Sequence, residues 1–170
     1  MYIDSHVHLR DFKQKHKETI AHGLEVALDS GVDAVFDMPN TEPPIITPEI
    51  VENRLALAKN SNSPIFYGLY IGLTNNQEQI KRAVDLHKKY FPKVVGFKLY
   101  AGHSVGNLGV INLEEQEVVY RTLAEQGYRG IIFVHAEKEL EIDSKIFISQ
   151  KPITHCYARP EKAEIESVKD

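Results

Sequence analysis

The 170-residue chain has one cysteine, no tryptophan and two methionines. A lone cysteine, Cys156, excludes an intramolecular disulfide and points to a cytoplasmic setting. No apolar run approaches the roughly 20 residues of a membrane helix, so no membrane partner is expected. Asp4 and His6 interrupt the N-terminal segment at once, which does not read as a signal peptide. Basic charge is not in excess either. Twenty Lys and Arg stand against 24 Asp and Glu, a net charge of −4, which excludes the field of a nucleic-acid binder. There is no Gly/Ser-rich linker and no low-complexity tract, so residues 1–170 read as one domain. What is present is ordinary for a soluble globular protein: 42% hydrophobic and 26% charged residues, on a chain long enough for a real core.

Five β-rich runs stand out: Tyr2–Leu9, Ala34–Pro39, Pro64–Leu73, Val94–Ala101 and Gly130–Ala136. They recur about every thirty residues, with helical patterns between them, which is the signature of consecutive βαβ units and a parallel sheet. Ile20, Leu24, Ala27 and Leu28 form one helical face, closed by Gly31. A second helix is expected from Thr47, with Pro48 at its first position and Val51, Leu55 and Ala58 as its face. Asn76 to Gln79 and Asn112 to Glu115 read as capping boxes for two more, and a fifth begins near Pro160. A doubly wound sheet should carry a glycine-rich turn after its first strand, and none is present. The expected fold is therefore α/β, a TIM-type (β/α) barrel, here an incomplete one with about five of eight strand-helix units.

Side chains alternate along a strand. In "DSHVHLRDF", residues 4–12, Ile3, Val7 and Leu9 share one face, while Asp4, His6 and His8 share the other. Val95, Phe97 and Leu99 oppose Gly96 and Lys98; Ile132, Val134 and Ala136 oppose Phe133 and His135. The outer face of a barrel packs on helices and should be apolar, so the polar set faces the axis. Alternation thus aims His6, His8, Lys98 and His135 at one volume. Singly, His135 reads as a hydrogen-bonded core residue and Lys98 as a lysine that snorkels to water. Together they read as a metal site, since two imidazoles at i, i+2 and a third from another strand can coordinate zinc.

At these residues the chain resembles the dihydroorotase branch of the cyclic amidohydrolases. "DSHVHLRDF", "DMPNTEPP" (37–44), "GFKLYAG" (96–102), "FVHAE" (133–137) and "HCYARPEKAE" (155–164) carry the resemblance, in family order. It implies one or two Zn2+ ions bridged by a carbamylated Lys98, with His6 and His8 on the first ion and His135 on the second. It implies Arg10 and Asn40 as holders of a substrate carboxylate, a task suited to a guanidinium fork. The implied reaction is reversible hydrolysis of dihydroorotate to N-carbamoyl-L-aspartate in pyrimidine biosynthesis. Allantoinase- or hydantoinase-like substrates and a non-catalytic metal-binding or assembly subunit are the alternatives. A TatD-like nuclease also begins with His-x-His, but "MPNT" and "FKLYAG" argue against it.

The resemblance covers the N-terminal half of such an enzyme, without the small β-domain that many relatives carry. A sixth-strand histidine and an eighth-strand catalytic aspartate have no counterpart, so no catalytic residue is identified. A homo-oligomer, or association with the missing C-terminal half, is expected to cover the open barrel, and the isolated chain is expected to be inactive or nearly so. Asp4 and Asp37 are read either as carboxylates orienting imidazoles or as turn and cap residues. His103, in a loop with Gly102, Gly106 and Gly109, reads as solvated, in a loop able to fold over substrate. His155 reads as a structural or loop residue, His16, His22 and His87 as surface residues, and Arg159 as structural or mouth-lining.

Overall fold

The computed structural model describes residues 1–104 and 107–170; Gly106 of the glycine-bearing loop lies outside the described residues. Five strands form one sheet: β1 (Ile3–Val7), β2 (Ala34–Asp37), β3 (Phe66–Gly72), β4 (Val94–Ala101) and β5 (Ile131–Ala136). All neighbours are parallel, in the order β1-β2-β3-β4-β5. Helices α1 (Ile20–Asp29), α2 (Pro48–Asn60), α3 (Gln77–Tyr90) and α4 (Leu113–Glu125) make the crossovers. Two more, α5 (Ile153–Ala158) and α6 (Glu161–Lys169), follow β5.

Strand order that never reverses belongs to a singly wound barrel; a doubly wound sheet turns back at a switch point. Curvature gives the same answer. In a flat sheet β1 and β5 would lie about 19 Å apart, four spacings of about 4.8 Å. Yet the His6 ring on β1 is 5.6 Å, centroid to centroid, from Phe133 on β5. The sheet is curled into an arc whose ends face each other across the axis. Phe36, Tyr70 and Phe133 fill the interior beneath, with successive ring distances of 6.3 and 5.5 Å. The apolar core lies on the other side, between strands and helices, built on Val35, Leu69, Ile71, Phe97 and Leu99 against Ile20, Leu24, Val51, Ile80 and Val119.

Local signals explain the element ends. Thr19, Thr47 and Asn76 accept N-cap hydrogen bonds from His22, Ile50 and Gln79. Asn112 precedes α4 as expected but makes no side-chain cap bond. Gly31 takes a φ of +76° just past α1, the left-handed stop that glycine adopts without strain. β1 ends at Val7 rather than Leu9, because the Leu9 amide bonds the Asp37 carboxylate instead of a neighbouring strand. β2 ends before Pro39, which has no amide hydrogen for a ladder. Among the described residues no helix is long and apolar enough to cross a membrane.

Candidate metal centre

The C-terminal ends of the strands open into a cavity of about 280 Å³. His6, His8, Lys98 and His135 all line it, with Asn40, Tyr100, His103 and Arg159. Four residues chosen by strand alternation, from β1, the turn after it, β4 and β5, thus converge. The His6 and His8 rings are 5.2 Å apart. Burial holds both imidazoles below their ordinary pKa, with the Lys98 charge adding to the effect. Both rings are therefore neutral near pH 7, the form with a lone pair to give.

His8 is also oriented. Its Nδ1 lies 2.8 Å from Asn40 Oδ1. An amide oxygen only accepts, so Nδ1 carries the proton and Nε2 keeps its lone pair. Asn40 also accepts Arg10 Nη1 at its main-chain oxygen, 2.7 Å away. Arg10 is absent from the cavity's described lining; it braces Asn40, which in turn braces His8.

Lys98 is 2% exposed. Its ammonium nitrogen sits 5.1 and 5.2 Å from the ring centroids of Tyr100 and Phe133. Those electron-rich aromatic faces are the partners of its cation; among the described residues no carboxylate pairs with it. Desolvation pushes its pKa down to about 8. A primary amine that loses its proton so readily is nucleophilic, and conversion to an anion would remove the buried positive charge.

On β5, His135 Nε2 lies 2.8 Å from Glu137 Oε2. Arg159, leaving α5, grips the same carboxylate through Nε at 3.0 Å and through Nη2. That pair holds Glu137 below the usual carboxylate range. A carboxylate on one imidazole nitrogen orients the ring and leaves the other nitrogen to bind. Arg159 is thus both structural and mouth-lining. His103 is exposed at the rim and pairs with Glu139. Asp37 touches no imidazole; it is fully buried with Arg54 and Tyr67. His16, His22 and His155 are exposed, but His87 is half-buried against Phe91, Phe97 and Tyr128, because α3 turns it under the sheet.

The donor set fits a hydrolytic metal: two neutral imidazoles close together, a third with a carboxylate behind it, and a buried amine without a carboxylate partner. It is also a partial set. Among the described residues no three His, Cys, Asp or Glu side chains are gathered closely enough to hold an ion unaided.

No family model matches the chain. It is 33% identical over 167 residues to a dihydroorotase of Thermococcus kodakarensis, covering 98% of this chain and 34% of that protein. A dihydroorotase of Pyrococcus furiosus is 34% identical over 168 residues, with the same two coverages, 98% and 34%. Among solved structures, an L-hydantoinase (dihydropyrimidinase) from Arthrobacter aurescens superposes with a TM-score of 0.82 at 24% identity, over 99% of this chain and 37% of its own. A dihydroorotase from Saccharomyces cerevisiae, in complex with 5-fluoroorotic acid, gives 0.67 at 22% identity, over 99% and 43%. These two show the shared barrel fold. The chain spans about a third of the length of the curated relatives it matches. Identity sustained along nearly the whole sequence shows that the chain is related to the dihydroorotases, matching about a third of their length, and the solved structures show the same barrel fold.

Proposed function

We propose that this chain is the metal-carrying sector of a zinc-dependent dihydroorotase, whose substrate is a small cyclic amide. The observation that carries the reading is the convergence of His6, His8, Lys98 and His135 on one cavity, with Lys98 buried and unpaired by any carboxylate among the described residues. His6 and His8 would hold one ion and His135 a second, with Lys98, carbamylated by carbon dioxide, between them. Bound there, a divalent metal supplies Lewis-acid polarisation of the amide carbonyl and an acidified water. The protein's own part is positional. Asn40 fixes the His8 tautomer, Glu137 orients His135, and the Asn40 side-chain amide nitrogen, with Arg10 bracing Asn40 from behind, would offer a donor to the substrate carboxylate at the mouth. Among the described residues no carboxylate lines the cavity, so a proton shuttle to the leaving nitrogen must come from elsewhere in the parent protein.

The test uses the purified chain with zinc and 13C-labelled bicarbonate. A carbamate carbon resonance and zinc uptake are expected together, and Lys98→Ala should abolish the first and weaken the second. Turnover of dihydroorotate should stay near the uncatalysed rate; brisk turnover would refute the incomplete-site reading. Absence of both carbamate and zinc would favour a non-catalytic assembly subunit, the second reading, which the partial ligand set supports.

A further inference from the structure

We infer that Asp37, Arg54 and Tyr67 form a buried positioning device that sets the segment carrying His8 and Arg10. The inference rests, for its consequence toward metal, on the function proposed above. Arg54 comes from α2, Asp37 from the end of β2 and Tyr67 from β3. The Arg54 and Asp37 side chains are both 0% exposed. Asp37 Oδ2 accepts from Arg54 Nη2 and, at 2.7 Å, from the Tyr67 hydroxyl. Its other oxygen accepts from the Leu9 amide at 2.9 Å. Arg54 Nη2 reaches on to the Leu9 carbonyl, and Nη1 to the Arg10 carbonyl at 2.9 Å.

The geometry departs from what stability alone would select. A buried ion pair is commonly no better than apolar residues of the same volume. Here the pair spends three of its hydrogen bonds on the main chain of two consecutive residues, Leu9 and Arg10. Those residues have just left β1, whose register with β2 is irregular between Asp4 and Val7. The ladder does not fix them, and the cluster does. His8 precedes Leu9, and its Nδ1 must meet Asn40 while its ring faces the cavity. Arg10 carries the guanidinium that grips Asn40. Through Arg54, α2 therefore sets both the tautomer of a ligand and the placement of the carboxylate clamp. Only a planar fork spans both carbonyls and the carboxylate; a lysine would keep the charge and lose the span.

The experiment is 15N NMR of the histidine imidazoles in the metal-free chain, paired with zinc affinity measured by competition with a chromogenic chelator. Wild type should show His8 as a single Nδ1-protonated tautomer. Arg54→Lys should average it toward the other tautomer and weaken zinc binding about tenfold. Val51→Ala is the control, since it opens the same helix face while leaving in place the Asp37 and Arg54 hydrogen bonds to Leu9 and Arg10. Folded Arg54→Lys with an unchanged His8 signature and the zinc affinity of Val51→Ala would overturn the inference. Should Arg54→Lys not fold, Tyr67→Phe removes one hydrogen bond to Asp37 and is expected to act in the same direction, by about threefold; no change there overturns the inference equally. A wild-type chain that takes up no zinc defeats the proposed metal function, while the tautomer measurement still decides the positioning role.

Discussion

Lys98 is the residue most costly to keep where it is. Folded, its amine releases a proton at about 8; unfolded, near 10.5. Between those values the unfolded chain binds more protons, so stability must rise with pH across that window. Below pH 8 the buried ammonium is a full penalty, on the order of 2 kcal/mol once water in the open cavity is allowed for. In carbon-dioxide-free buffer, Lys98→Met should therefore be the more stable protein at pH 7. Its advantage should shrink as pH rises from 8 to 10.5. Urea titrations of both proteins at pH 7 and pH 10 measure the difference, and parallel pH slopes would contradict it. The convergence of His6, His8, Lys98 and His135 on one cavity was legible because alternation in β1, β4 and β5 is strict and only one face of each strand can meet helices. Arg54 was legible in principle too. It lies on the Val51–Leu55–Ala58 stripe, a charge on a face that must be buried, and Asp37 lies on the helix-facing side of β2 beside Val35. Two opposite charges on mating apolar surfaces are a sign of a pair.

At the scale of elements, the strands were recoverable to within a few residues because each apolar run is bounded by turn chemistry and spaced by a full crossover. α5 was not: it is six residues long, begins just after Pro152 and has no side-chain cap bond, so no period or cap announces it. Contacts between elements explain Gly96 in "GFKLYAG". A Cβ there would lie 2.5 Å from the Ile131 carbonyl oxygen of β5. Backbone cannot yield as a side chain can, so Gly96→Ala should force β4 and β5 apart. The expected loss is about 2 kcal/mol, a fall in Tm of roughly 4–8 °C in a chain of this size. Thermal unfolding followed by circular dichroism reads it, and an unshifted Tm would mean the strands are less tightly apposed than described.

At the scale of the whole molecule, β1 and β5 are the two parallel edges of the arc among the described residues, each paired with a strand on one side only. β3 and β4 are buried on both faces, whereas β1 and β5 are largely open to solvent. Hydrogen exchange should follow that gradient, slowest in β3 and β4 and fastest in β1 and β5. Uniform protection across all five strands would show that something covers the edges. Ile3 and Ile131, 47% and 53% exposed, mark those edges. Sedimentation velocity should show association growing with concentration, and Ile131→Lys should reduce it.

The sequence by itself determined the repeat, the parallel sheet and the inward direction of His6, His8, Lys98 and His135, because crossover length and side-chain alternation are properties of neighbouring residues. Tertiary structure alone decided the rest. It brought His6 against Phe133 across three intervening strands, turned Asn40 and Glu137 onto imidazoles, and left Lys98 without a carboxylate partner among the described residues. Those outcomes depend on how far the sheet curls, which is set by packing summed over every strand and helix and is written in no single stretch of the chain.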